Sequence, residues 1–135
     1  MRYVDTSAFL KLLVDEDHSA ALRSDLDGRG DLWSSTLLDV EAHRVAARLG
    51  VDQPALIEAL EAVTLVVPGE TTFANARRLG PDTLRTLDAL HLAAALELGA
   101  DLELVITYDR RMATGCEEAG VAVRTPGLAP TWWRG

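Results

Sequence analysis

Five short β-type runs separated by helical periodicity constrain this chain most. The runs are Arg2–Asp5, Leu32–Ser34, Thr64–Val67, Leu104–Thr107 and Val121–Arg124. After the first run, Phe9, Leu12 and Leu13, then Ala21, Leu22 and Leu26, recur at helical spacing. Leu37–Leu49 forms a second helical stretch and stops at Gly50, a residue suited to the left-handed C-cap. Pro54 fits a first helical turn, followed by Leu56, Ile57 and Leu60 on one face. Phe73, Ala76 and Leu79 lead to the stop signal Gly80-Pro81, and Thr86–Leu98 ends before Gly99. Gly120 and Pro126-Gly127 bound the last run as turns. Strands alternating with helices imply an α/β domain around a central, mainly parallel five-stranded sheet. With 135 residues, one domain over 1–135 is expected. In such sheets sites gather beyond the C-terminal strand ends, at the point where strand order reverses. The order 3-2-1-4-5 would bring the ends of the first and fourth strands to one crevice.

Four acids stand where a core-forming sequence would avoid them. Asp5 ends Tyr3-Val4, and Asp109 follows Leu104-Val105-Ile106-Thr107-Tyr108. Glu41 interrupts the stripe Leu37, Leu38, Val45 and Leu49, with Leu37 at i−4 and Val45 at i+4. Asp88 opens the apolar segment Ala89–Leu96. A carboxylate beside a core is paired, metal-bound or protonated, because an isolated buried charge is costly. Glu41 falls in the second turn after a cap at Ser35 or Thr36, and Asp88 in the first turn after Thr86. Either acid alone is compatible with capping or with the helix dipole. Together the four point to a shared divalent cation. Two carboxylates ~5 Å apart repel by about 3 kcal/mol at an effective dielectric near ~20. Hard oxygen donors select Mg²⁺, or Mn²⁺, over zinc. The chemistry this suits is metal-assisted phosphodiester hydrolysis.

The net charge of −8 argues against nucleic-acid affinity through bulk charge, but bound cations invert the local field. Arg77, Arg78, Arg85, Arg110 and Arg111 lie close in sequence to two of the acids, as a solvated face or as phosphate contacts. The single cysteine, Cys116, leaves no internal disulfide and no cysteine-based zinc site, and fits a reducing, cytoplasmic setting. The N-terminus does not read as a signal peptide, and no apolar run reaches the ~18 residues of a membrane span.

Tyr3–Leu10, Val40-Glu41, Thr86–Ala93 and Val105–Asp109 resemble, in order and spacing, the four acidic motifs of PIN-domain ribonucleases, specifically VapC toxins of VapBC toxin–antitoxin pairs. The resemblance spans residues 2 to about 112. It implies a three-layer α/β/α fold, Mg²⁺-dependent endoribonuclease activity, a homodimer and inhibition by a cognate VapB antitoxin. It makes Asp5, Glu41, Asp88 and Asp109 the metal-site acids and Ser7 and Thr107 supporting hydroxyls. It also suggests structured RNA targets such as tRNA or ribosomal RNA loops. An antitoxin arginine pairing with two of the carboxylates would follow from the same charge argument. The tail, about 126–135, matches no motif; its Trp132-Trp133 pair either packs back on the domain or serves a partner surface.

Two other readings stay open. A haloacid-dehalogenase-type phosphatase also places an aspartate after its first strand, but its second aspartate two residues on is Ser7 here. A catalytically silent PIN-like scaffold for RNA or protein is the other; retention of all four acids argues against it. His91, three residues after Asp88, reads as a packed helix histidine rather than a catalytic base. His18 and His43 read as surface residues.

Overall fold

The computed structural model describes residues 1–135. Five strands, β1 (Arg2–Val4), β2 (Leu32–Ser35), β3 (Thr64–Val66), β4 (Leu104–Ile106) and β5 (Val123–Arg124), form one sheet in the order β3-β2-β1-β4-β5. Every pairing is parallel. The connections are helical: α1 (Thr6–Leu13) and α2 (Ser19–Leu26), α3 (Thr36–Leu49) and α4 (Gln53–Glu61), α5 (Glu70–Ala76) and α6 (Thr86–Leu96), then α7 (Arg110–Glu118). The expected strand order and three-layer arrangement are both present.

Alternation along the strands sorts two cores. Val4 and Ile106 point to one face, where Phe9, Leu22, Leu38 and Leu56 from α1 to α4 close over them. Tyr3 and Val105 point to the other, against Leu92 of α6 and Met112 and Cys116 of α7. Strands this short and buried on both faces read as apolar runs, as parallel sheets require. Ala89 through Ala95 of α6 are all buried, which explains a helix that is apolar all round rather than striped.

Several expected boundaries shift. β1 ends at Val4 rather than Asp5, because Asp5 caps α1; its Oδ1 accepts from Ala8 N at 3.1 Å. β4 likewise ends before Thr107, and β5 is only two residues long, Val121 N instead bonding Cys116 O at 2.8 Å. Leu79 lies beyond α5, and α6 stops at Leu96. The C-terminal end of α3 follows the expected pattern, Gly50 taking a left-handed φ of 70°. Its buried stripe does not: Leu38, Ala42 and Ala46 carry it, while Leu49 is exposed. Helix α7 had no individual signal in the sequence; Met112, Ala113, Gly115 and Cys116 form its inner face.

Trp132 and Trp133 pack back on the molecule in a short 3-10 turn. Trp132 Nε1 donates to Thr125 Oγ1 at 2.9 Å, the two rings meet edge to face, and Arg110 lies over Trp132. His18, too, departs from the surface reading: it takes a positive φ before α2 and stacks on Tyr108. His43 is exposed and pairs with Asp39.

Candidate metal centre

Register builds this site before any side chain does. Val4 and Ile106 are partners across β1 and β4, so the next residues, Asp5 and Thr107, emerge side by side at the C-terminal edge of the sheet. Asp5 N holds that alignment by donating to Ile106 O at 3.3 Å. Thr107 Oγ1 then donates to Asp5 Oδ2 at 2.5 Å, and Ser7 Oγ, from the first turn of α1, donates to Oδ1 at 2.7 Å. The two hydroxyls lie 3.3 Å apart, and each also accepts a backbone N–H: Ser7 from Tyr108, Thr107 from Asp109. Asp5 is thus only 3% exposed but fully hydrogen-bonded. Burial pushes its carboxyl above the ordinary carboxylate range, and the Thr107 and Ser7 hydroxyls only partly oppose this.

Asp109 caps α7, its Oδ1 accepting from Met112 N at 3.0 Å. Asp88 lies in the first turn of α6. Burial, and then the charge of Asp109, push Asp88 upward, against the pull of Arg85. Arg85 immediately precedes α6 and bridges the two acids: Nε lies 3.2 Å from Asp88 Oδ2 and Nη2 lies 2.6 Å from Asp109 Oδ2.

Glu41 reaches the same place from α3. Its Oε1 accepts from Thr6 Oγ1 at 2.8 Å and lies 2.8 Å from His91 Nε2. Burial raises the Glu41 carboxyl, but the His91 hydrogen bond and charge, the Thr6 hydrogen bond and the charge of Arg85 together outweigh it and leave the group below its ordinary value. His91 in turn contacts Tyr3 Oη through Nδ1 at 2.7 Å. Its role as a packed histidine is therefore incomplete: it packs, and it also holds Glu41.

The four expected acids line one cavity of about 110 Å³ with Thr6, Ser7, Arg85 and His91, and no hydrophobic residue faces it. Two larger grooves are more apolar and contain none of these acids. The donor chemistry fits a hard divalent cation: all-oxygen, mainly carboxylate, with Asp5 held by hydroxyls that fix its orientation. In this conformation, however, no three His, Cys, Asp or Glu side chains stand close enough to enclose an ion. The Arg85 guanidinium stands between Asp88 and Asp109. The arginine expected from a partner thus has a counterpart within the chain itself.

Tyr3, Arg85 and His91 are the residues whose part at the site the sequence did not disclose. Of the five arginines near the acids, Arg85 alone enters the cavity. The only signal for the other two was their spacing: Tyr3 two residues before Asp5, His91 three after Asp88.

Comparison with known proteins bears on the family and the fold. The family model of the PIN domain matches residues 2–117. Ribonuclease VapC47 of Mycobacterium tuberculosis is 42% identical over 135 residues, covering 94% of this chain and 98% of the relative. Ribonuclease VapC46 of the same species is 40% identical over 125 residues, covering 92% and 96%. The crystal structure of M. tuberculosis VapC20, described as a Sarcin-Ricin loop cleaving toxin, superposes with a TM-score of 0.72 at 16% identity, covering 93% of this chain and 100% of that one. A toxin–antitoxin complex from Klebsiella pneumoniae contains a chain with a TM-score of 0.69, also at 16% identity, covering 96% and 100%. At that identity the two structures speak for the fold. The chain belongs to the PIN-domain family and, within it, to the VapC ribonucleases.

Proposed function

We propose that this VapC-family ribonuclease is a Mg²⁺-dependent endoribonuclease, with Mn²⁺ as an alternative ion, and that Asp5, Glu41, Asp88 and Asp109 hold the metal. One observation carries the reading. Acids from four separate segments line a single cavity without apolar residues at the C-terminal edge of β1 and β4. A bound Mg²⁺ would supply a water nucleophile of lowered pKa and neutralise charge on the phosphate. The protein's own contribution is orientation. Ser7 and Thr107 fix both oxygens of Asp5. Thr6 and His91 occupy Oε1 of Glu41, which leaves Oε2 to face the metal or a water on it. Asp88 keeps Oδ1 free of protein partners, while Asp109 is anchored through its cap.

The remaining features of the reading follow from kinship with the VapC ribonucleases. The chain acts as the toxin of a VapBC pair in the cytoplasm, as a homodimer held inactive by a VapB-type antitoxin, on a structured RNA such as tRNA or ribosomal RNA. Residues 1–135 make up one PIN-like nuclease unit with 126–135 as its tail. No helix is long and apolar enough to cross a membrane.

The test is to sequence RNA 5′ ends after brief expression of the wild type and of Asp88→Asn. New ends that need Mg²⁺ in the purified reaction and vanish in the variant support the proposal. Equal ends from both proteins would remove Asp88 from the site, and no new ends from the wild type would favour a silent scaffold.

A further inference from the structure

Resting on that metal-dependent reading, we propose that Arg85 is a phosphate-binding residue for the RNA substrate, and that before metal binds its guanidinium occupies the cation's place between Asp88 and Asp109.

The charge layout leads there. RNA is a polyanion, this chain carries −8, and four carboxylates line the cavity it must enter. Arg85 is the only arginine or lysine among the eight lining residues. None of the other four nearby arginines lines the cavity; of these, Arg77 lines an apolar groove beside Phe73, and Arg110 lies over the Trp132 ring. Depth matters as well. The Arg85 side chain is 57% exposed, against 13% for Asp88 and 23% for Asp109, so the cation sits at the mouth and the acids on the floor.

Its present contacts are those of a substitute ion. Nε serves one carboxylate and Nη2 the other, so a single guanidinium screens the repulsion between two like charges. Nη1 makes no hydrogen bond within the protein. A divalent cation on Asp88 and Asp109 would compete with the guanidinium for the same two carboxylates, since two positive charges held that close repel each other.

The exchange has a direction. A compact divalent ion reaches the floor, while a long, exposed side chain swings outward at little cost. Displaced to the mouth, a planar guanidinium meets phosphate oxygens through two parallel N–H donors. One residue thereby stabilises the acids without metal and receives substrate once metal is present.

The experiment has two arms, on purified wild type, Arg85→Gln and Arg85→Lys, each checked by thermal melting. In the first, Mg²⁺ is titrated calorimetrically without RNA. Losing the competing ion pairs should tighten Mg²⁺ binding about fivefold in Arg85→Gln and less in Arg85→Lys. In the second, a labelled single-stranded oligoribonucleotide of mixed sequence is bound with Ca²⁺ in place of Mg²⁺, uncut strand being verified on a gel. Arg85→Gln should weaken binding about tenfold and lower the salt slope by about 0.7, with partial rescue by Lys. Unchanged or weaker Mg²⁺ binding in Arg85→Gln overturns the placeholder role. Undiminished RNA binding overturns the phosphate role. The metal-dependent reading fails separately, if the wild type binds no Mg²⁺ with or without RNA and cuts RNA equally well in chelator.

Discussion

Tyr3 Oη lies 2.7 Å from His91 Nδ1, and the opposite nitrogen of the same ring lies 2.8 Å from Glu41 Oε1. An ionised Glu41 only accepts hydrogen bonds, so Nε2 carries the proton. A neutral ring with its proton there would leave Nδ1 to accept from the Tyr3 hydroxyl, giving each atom of this relay a partner. Burial pushes the Tyr3 phenol well above its ordinary pKa, which keeps that donor proton in place. A relay from the floor of the sheet thus orients an acid on the far helix, as hydrogen-bonded outer partners orient metal ligands.

Removing the ring's donor while keeping apolar volume tests this relay. His91→Leu is expected to lower RNA cleavage about 10- to 100-fold, with His91→Gln, which retains a donor near Nε2, recovering part of it. Tyr3→Phe leaves Nδ1 buried without a partner and should cost about 1–3 kcal/mol in urea unfolding. Wild-type kcat and KM in a folded His91→Leu would show that the ring only packs.

The Asp5–Thr107 pair gives a cleaner substitution, because Thr107→Val is close to isosteric. It removes the 2.5 Å donor to Asp5 Oδ2 and the acceptor for Asp109 N at once. Expected are about 1–3 kcal/mol of lost stability and a cleavage rate lower by about 10- to 100-fold. Ser7→Ala should act in the same direction, since its hydroxyl serves Asp5 Oδ1 and Tyr108 N. Equilibrium unfolding and initial rates check both variants; a Thr107→Val protein of unchanged rate would reduce this hydroxyl to a strand-end cap.

These cases show which parts of the site a sequence can disclose. Asp5 and Asp109 are legible because a parallel sheet with β1 beside β4 brings the residues after those strands together. Asp88 is legible as an acid in the first turn of an apolar helix, whereas the parts of Ser7 and Thr107 rest on the family resemblance. Arg85 and His91 are not legible in the same way. Both belong to the α6 region, and their roles arise only when that helix meets α3 and the start of α7, a juxtaposition no local period encodes. Glu41 was visible as an interruption, but through the wrong stripe: buried Ala42 and Ala46 carry weak hydrophobic signal, whereas exposed Leu49 carries a strong one. The helix α7 was obscured for the same reason, its inner face being built from Met112, Ala113, Gly115 and Cys116.

The raised carboxyl of Asp5 fixes a pH dependence with a definite sign. A folded pKa above the unfolded value, about 3.9, means that the folded state binds the proton more tightly. The stability this contributes is fully present below the unfolded pKa and is lost as pH rises through the folded one. Asp88 adds in the same direction. In chelator, the stability of Asp5→Asn minus that of wild type should therefore climb as pH rises from about 4, then level off beyond Asp5's own pKa. Glu41 has the opposite sign but is common to both proteins and drops out of the difference. Denaturant midpoints across the pH series make the measurement. A difference that falls with pH would mean that hydrogen bonds, not burial, dominate at Asp5.

Metal should reverse that penalty, because a cation bound to the folded site favours the ionised carboxylates. Binding to the native state alone adds RT ln(1 + [L]/Kd), about 2.7 kcal/mol at 100 times Kd. The wild type should therefore melt higher in millimolar Mg²⁺ than in chelator, with the larger gain at neutral pH than near about pH 4, where protons compete for Asp5 and Asp88. Asp88→Asn removes a proposed ligand and also an anion that Arg85 neutralises, so its apo form should hold nearly wild-type stability while its Mg²⁺ gain shrinks. That pairing separates a metal ligand from a helix-capping acid, since loss of a helix-terminal stabiliser would lower the melt in both conditions alike. Equal Mg²⁺ gains in wild type and Asp88→Asn would place the ion away from α6, leaving Asp5, Glu41 and Asp109 to account for it.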